Sequence, residues 1–540
     1  MFTPAPPVAT TPSGSVASSS LPANAPVKPT SSDVPGASAA AAPAVSAVIP
    51  TAPAGASAAV ASKTIVLKND LLSLDIDTLG GQIRRSELLA HKDIEKKDTN
   101  VLLLQDQVGK VFLAQSGLTG APAGSSFPNH RTPMQVVDDS KANVTGAEKS
   151  LVVLTSEAGG LKLTRTYALT RGSYVIDVKD EISNTGTIIL QPTLYLQLAR
   201  DTHKPPGESQ FYSTYTGPAV YSDKAKFQKV DFSDIDKKKT TYEKTVSDGW
   251  AGFIQHYFVA AWIPADKANR EVYTNKIDDS ALYTVGMKLP LKELAPGASV
   301  VSDQRLFIGP QDQKILEQVA PGLELSVDYG WLTVVAKPIF WLLQYLHSLV
   351  GNWGWAIILL TIVIKSIFFP LQAASYKSMA RMKAVTPKMT ALREKFGSDK
   401  VKLNQGMMEL YKTEKINPLG GCLPVVVQIP VFIALYWVLL ASVEMRSAPW
   451  MLWIKDLAAP DPFYILPLLM AGTMFIQTKL NPVPPDPVQA RMMQIMPIIF
   501  SVMFFFFPAG LVLYWLVNNM YSIAQQWYIT RKIEGAAAKK

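Results

Sequence analysis

The residue of clearest chemical character in this chain is Lys365, set in GWAIILLTIVIKSIFFPL (354–371), where the other seventeen residues suit the interior of a membrane. An ammonium group near the middle of a bilayer costs about 2.5–3.5 kcal/mol on insertion scales. Snorkelling does not remove that cost. The next basic residue, Lys377, lies twelve positions on, roughly 18 Å along a helix, whereas a lysine stem reaches only about 6 Å. The apolar runs that follow contain no Asp, Glu or His apart from Asp461 at a boundary. The polar residues they and the lysine's own run offer are neutral: Thr361, Gln428, Gln477, Tyr514, Asn518, Asn519 and Ser522. Such a set predicts a wet cavity whose single positive charge awaits a negative one from another molecule. A lysine satisfied by a helix carbonyl or by local thinning of the bilayer is the plainer reading.

Other chemistry is sparse. His91, His130, His203 and His256 are scattered, without metal-ligand spacing or a nucleophile motif, so satisfied or solvated histidines are expected, with no covalent chemistry and no cofactor. Cys422 is the only cysteine, which excludes an intramolecular disulfide and leaves the redox compartment unread.

The elements that must position Lys365 fall in the second half of a 540-residue chain. Residues 1–62 are Ala-, Pro- and Ser-rich with only Lys28 and Asp33 charged, and are expected to be a disordered tether. From 63 to about 325 the pattern is β. LLSLDIDTLGG alternates Leu72, Leu74 and Ile76 before Gly80-Gly81, and LKLTRTYALTRGSYVIDVKDEISNTG reads as two strands joined near Arg171-Gly172. Antiparallel sheets forming a sandwich are predicted, with a short closing helix in 309–323. Residues 331–350 keep Lys337, Gln344 and Ser348 on one helical face, with Trp331, Trp341 and Tyr345 available at headgroup depth. That suits a helix lying in the membrane interface; a span with a few polar residues is the alternative. Five spans are then expected, at about 353–374, 421–441, 461–478, 494–508 and 510–528, the last two parted at Pro508-Ala509-Gly510. Pro424, Pro430, Pro467 and Pro497 predict local irregularity.

Basic residues set the orientation. The net charge of +9 could suggest nucleic acid, but the loop 377–416 carries ten Lys and Arg against four acidic residues, and the tail 531–540 is basic too. Both are expected in the cytoplasm. Five spans then place the β domain outside, so an anchor span ahead of Met1 is expected in the natural protein. Within the loop, Thr386-Pro387 reads as a helix start, Gly397-Ser398-Asp399 as a turn and Asn417-Pro418 as a stop. The result is a helical hairpin with Met389, Leu392 and Phe396 on one face of its first helix and Met407, Met408 and Tyr411 on the second. It is either a solvated device that fixes topology or an adaptable receiver for hydrophobic segments and ribosomal phosphates.

Four stretches, GNWGWAIILLTIVIKSIFFPLQAASYKSMARMK, LYKTEKINPLGGCLPVVVQIPVFIALYW, SVEMRSAPWMLWIKDLAAPDPFYILPLLM and FFPAGLVLYWLVNNMYSIAQQ, resemble the YidC/Oxa/Alb family of membrane protein insertases. The likeness is dense and in order over about 331–530; the β domain is similar to the periplasmic domain of Gram-negative members. It implies a multi-pass protein of the bacterial inner membrane, with a periplasmic β domain and a cytoplasmic C-terminus. Its five-helix core would hold a hydrophilic groove whose one basic residue attracts acidic residues of a substrate's tail. Lys365 matches that position, where many members carry arginine, so charge matters more than a bidentate fork. Thr361, Gln428, Tyr514, Trp515 and Asn519 match further groove contacts. The implied partners are nascent membrane proteins, the Sec translocon, and the ribosome or signal-recognition machinery at the basic loop, although the short tail departs from members with long basic ones.

Two other classes remain to be weighed. A small-molecule transporter calls for inverted repeats and a paired ionisable site, neither of which is visible. An enzyme or sugar site in the β domain would rest on the scattered histidines alone.

Overall fold

The computed structural model describes residues 62–537 apart from 97, 206–213, 278–279, 398, 415–422 and 481–486. The expected tether up to residue 61, the Asn417-Pro418 stop, Cys422, and Lys539 and Lys540 lie outside the described residues.

Period-two burial builds the first half. In Val175–Asn184, Ile176, Val178, Asp180 and Ile182 are buried while Asp177, Lys179 and Glu181 are exposed. This strand pairs antiparallel with Leu161–Thr170 through a turn that needs the left-handed Gly172, φ 72°. Every pairing among the described residues is antiparallel, and the strands form two sheets. The first runs Thr64–Lys68, Leu72–Asp77, Ile83–Lys92, Lys110–Thr119, Thr193–Arg200, Tyr283–Pro290, Arg270–Lys276 and Thr245–Val246, with Asn100–Leu102 and Gln105–Gln107 flanking it. The second runs Lys226–Lys229, Gly217–Ser222, Trp250–Gln255, Phe258–Pro264, Ser299–Pro310, Val175–Asn184, Leu161–Thr170, Lys149–Ala158 and Gln135–Asp138. Hydrogen bonds tie the inner faces together: Trp262 Nε1 donates to Gln197 O at 3.0 Å and Tyr167 Oη to Gly81 O at 2.5 Å. Between them lies a fully buried ion pair, Arg165 gripping Asp180 at 2.6 and 2.9 Å. The four histidines have structural partners: His130 bonds Tyr195 Oη at 2.5 Å, His91 meets Tyr174 Oη at 3.3 Å, and His203 pairs with Asp201. The fourth, His256, turns to the helical half.

That half follows one turn, α1 (Phe232–Asp236), inside the β region and α2 (Gln313–Val319), capped by the Asp312 carboxylate. Next come α3 (Thr333–Val350), α4 (Trp353–Ile367), α5 (Phe369–Phe396), α6 (Lys400–Thr413), α7 (Leu423–Ala441), α8 (Ile465–Leu480), α9 (Pro487–Phe504) and α10 (Ala509–Ala537). α3 buries Ala336, Phe340, Leu343 and Leu346 and exposes Val334, Trp341, Tyr345 and Leu349 on its other side, with Trp331 exposed just ahead of it. Gly354 of α4 lies under the Trp450 ring, where a Cβ would come within 2.1 Å of it. The expected break before α10 is made by strand-like contacts: Ala509 N–H donates to Ala459 O at 2.8 Å and Gly510 N–H to Leu457 O at 2.9 Å. Asp461 is buried but fully used, accepting from Trp453 Nε1, Phe463 N–H and Leu466 N–H.

The helices depart from the sequence reading in three places. The stretch 353–374 is two helices bent by 64°, because Pro370 lacks an N–H and its ring collides with the carbonyl four residues earlier. α5 runs unbroken from Phe369 through Pro387, so no helix starts at Thr386; Thr386 Oγ1 instead donates to Met382 O at 3.1 Å. α10 continues past 528 into the tail. Among the described residues no single helix is long and apolar enough to cross a membrane. The bent pair Trp353–Ile367 and Phe369–Met379 passes together, and Val426–Ala441, Ile465–Leu480 and Arg491–Phe504 are shorter apolar helices. Between α5 and α6, Val385 and Met389 are buried against Met382, Met407, Leu410 and Tyr411, while Met408 faces outward.

The two halves meet at the loop after α7. His256 Nε2 contacts Leu440 O at 3.0 Å, the tautomer being set by that carbonyl acceptor. The Arg446 guanidinium lies 5.1 Å above Phe258 and 5.8 Å above Tyr257 and donates to Lys92 O. Beside them one carboxylate oxygen of Glu444 is sealed from solvent without a hydrogen-bond partner among the described residues. Burial pushes the Glu444 carboxyl up from 4.5 to about 8. Burial, and then Arg446, push His91 down from 6.5 to about 4; burial does the same to His256. Above pH 4.5 and up to about 8 the closed junction keeps a proton on Glu444 that the open one releases, so closure weakens as pH rises. From 6.5 down to about 4, opening lets the histidines take up protons, so closure weakens as pH falls. Protease cleavage in the loop 442–464 is therefore slowest near pH 6.5, and Glu444→Gln removes the rise on the alkaline side. An unchanged alkaline rise in that variant would refute the assignment.

Candidate functional site

Lys365 owes its setting to the end of α4. Because the helix stops at Ile367, the lysine occupies the last turn, where unpaired carbonyls and the negative end of the helix dipole favour a cation. Its side chain is only 3% exposed. Nζ donates to Ser522 Oγ of α10 at 2.8 Å, and that hydroxyl donates to Asn518 O at 2.8 Å. No ion pair reaches it among the described residues. The expected contact with open water is thus replaced by a seam closed by α10, which packs along α4.

The seam is a stripe of polar side chains. Tyr514, Asn518, Ser522 and Gln525 recur at helical spacing on α10, and each is 6% exposed or less. From α5, Gln372 Nε2 donates to Gln428 Oε1 of α7 at 3.1 Å, and Gln428 Nε2 reaches Asn518 Oδ1 at 3.5 Å. Tyr376 Oη of α5 closes on Ser522 O at 3.4 Å. This arrangement holds one cation among neutral donors and acceptors. It carries no nucleophile-base pair, and no metal-binding group of His, Cys, Asp and Glu occurs among the described residues.

The sequence-derived residues divide between two places. Lys365 and Gln428 meet in the seam through Ser522 and Asn518. Thr361 is buried there but spends its hydroxyl on Ile357 O of its own helix, at 2.7 Å. Tyr514 Oη is buried without a partner among the described residues, its ring 5.9 Å from Phe432. Trp515 and Asn519 face away. With Gln477, Met470, Met474 and Phe504 they line a cavity of about 300 Å³ between α8, α9 and α10, and Asn519 Nδ2 reaches Thr473 Oγ1 at 3.5 Å. Three seam residues escaped the sequence reading: Gln372, Tyr376 and Gln525. The signal available for Gln525 was its three-residue spacing from Ser522 along one helix; Gln372 and Tyr376 lie beyond the bend after α4, where spacing from Lys365 gives no such signal.

Two family models match the chain: the YidC periplasmic domain over 64–342 and the 60Kd inner membrane protein over 345–537. A membrane protein insertase YidC of Bordetella pertussis is 57% identical over 477 residues, covering 88% of this chain and 84% of the relative. That of Cupriavidus taiwanensis is 56% identical over 475 residues, covering 88% and 83%. Among solved structures, an active YidC insertase with its first transmembrane domain resolved is similar with a TM-score of 0.40 and 18% identity, covering 87% of this chain and 93% of that one.

Proposed function

Because the chain belongs to the YidC family of membrane protein insertases, we propose that it inserts nascent proteins into the bacterial inner membrane, and helps them fold, through the seam around Lys365. The observation that carries this reading is a 3% exposed ammonium with no acidic partner among the described residues. A charge kept in such a place without a counter-ion is costly, and an acidic residue of a passing tail supplies what is missing. Thr361, Gln428 and Tyr514 would line the tail's path, with Trp515 and Asn519 on the far side of α10. A polar tail entering the seam exchanges water for these groups, which lowers the barrier to crossing.

The accompanying topology has the bent pair α4–α5, α7, α8, α9 and α10 cross the bilayer, with α3 in the interface. The β domain lies in the periplasm; the α5–α6 hairpin and the C-terminus lie in the cytoplasm. Two things support it: the basic loop 377–416, and a belt of exposed Leu468, Leu469, Phe475, Ile476, Ile498, Ile499 and Val502 on α8 and α9, more apolar surface than water tolerates. The hairpin's charge suits a ribosome or signal-recognition partner, and the Sec translocon is a further partner for substrates with large exported domains. A transporter has no support among the matches.

A photo-crosslinker at position 514, with Lys365 left in place, tests the reading. With a ribosome-stalled single-span protein as substrate, it is expected to capture the acidic tail once the nascent chain is long enough. No crosslink at any chain length would overturn the proposal.

A further inference from the structure

Besides the Tyr514 hydroxyl, one amide in the seam is left over once Lys365 is accounted for. Gln525 is 6% exposed, yet neither its amide nitrogen nor its amide oxygen has a hydrogen-bond partner among the described residues. It lies three residues beyond Ser522, about 4.5 Å along α10, on the face that Lys365 and Tyr376 approach. Its neighbour Gln526 points elsewhere, donating to Leu480 O of α8 at 3.1 Å. Burying a donor and an acceptor unmade is costly, and native proteins keep such groups where something else completes them.

Resting on the insertase reading, we propose that Gln525 takes hold of the peptide backbone of the segment being translocated. A carboxamide offers one donor and one acceptor side by side, which matches the C=O and N–H of a peptide group. Every polypeptide carries that pattern whatever its sequence. Lys365 reads charge in the tail; Gln525 reads the presence of a chain. The two contacts therefore divide the work, one selective and one general, and both sit on the same stripe.

The test uses the full-length protein in liposomes with two single-span reporters, identical except that one tail is acidic and the other neutral. Gln525→Leu is expected to lower insertion of both reporters alike, by roughly 3- to 10-fold, the worth of a hydrogen-bonded pair. Lys365→Leu is expected to lower only the acidic one. The thermal midpoint of Gln525→Leu stays level or rises, since an orphaned amide has been replaced by a side chain that needs no partner. Normal insertion of both reporters would show that water alone completes Gln525. Loss confined to the acidic reporter would mean that it acts through Lys365, and a loss accompanied by a lower midpoint would make its role structural. Each of these overturns the inference while leaving the insertase reading intact. Wild-type protein that inserts neither reporter would sink both.

Discussion

Lys365→Glu is expected to abolish insertion of proteins with acidic tails, while Lys365→Arg retains it. Two unit charges 4 Å apart interact by about 4 kcal/mol at an effective dielectric of 20. Losing 2–4 kcal/mol of attraction lowers the rate by roughly 30- to 1000-fold, and a reversed charge adds repulsion. The fold survives the change. Ser522 Oγ, now 2.8 Å from the ammonium, can donate to a carboxylate as readily as it accepts from Lys365. The unfavourable charge at the end of α4 costs only about 0.3–1 kcal/mol. Arginine keeps the cation and can donate to Ser522 and to Asn518. Depletion of the chromosomal protein, with each variant expressed to the same membrane level, gives the readout. Equal complementation by the glutamate variant would end the electrostatic account.

The second large effect lies in the β domain. Asp180→Ala is expected to destabilise the β domain by about 3–5 kcal/mol. The Arg165 guanidinium is fully buried and would keep only neutral acceptors, Ser116 O at 3.4 Å and the Tyr167 hydroxyl. Replacing both partners with apolar residues, Arg165→Met with Asp180→Leu, recovers most of the loss, since no lone charge is then left inside. Hydrogen exchange in Leu161–Thr170 and Val175–Asn184 measures it strand by strand. A loss below about 1 kcal/mol in the single variant would show that the pair is not the coupled unit its geometry describes.

How much of this was legible depended on how local the cause was. The alternation of Ile176, Val178 and Ile182 is written in consecutive residues, so the strands and the Gly172 turn could be read directly. The order of strands in two sheets depends on pairings tens of residues apart, and more than a hundred between Val175–Asn184 and Ser299–Pro310, which no local pattern records. Arg165 escaped notice because an inward arginine looks, in sequence, like the solvent side of a strand. Lys365 was visible because charge in an apolar run is rare. The 64° bend that places it at a helix end was not, since Pro370 resembled the tail of one long span. The same habit of ending the first span at 374 hid Tyr376. Asn519 follows Asn518 in the chain, yet one residue turns a helix by about 100°, and the two asparagines serve different spaces.

Arg165 and Asp180 are direct partners across the Leu161–Thr170 and Val175–Asn184 pairing. A slip of either strand by one residue would turn that strand's charge out and its apolar side chains with it, leaving the other charge alone inside. A slip of two would keep both inside but set Arg165 opposite Val178 or Ile182, each charge alone in hydrocarbon. Only one alignment satisfies them. The pair works as a proofreading step for the hairpin, adding little to the depth of the native well but removing the nearest wrong answers.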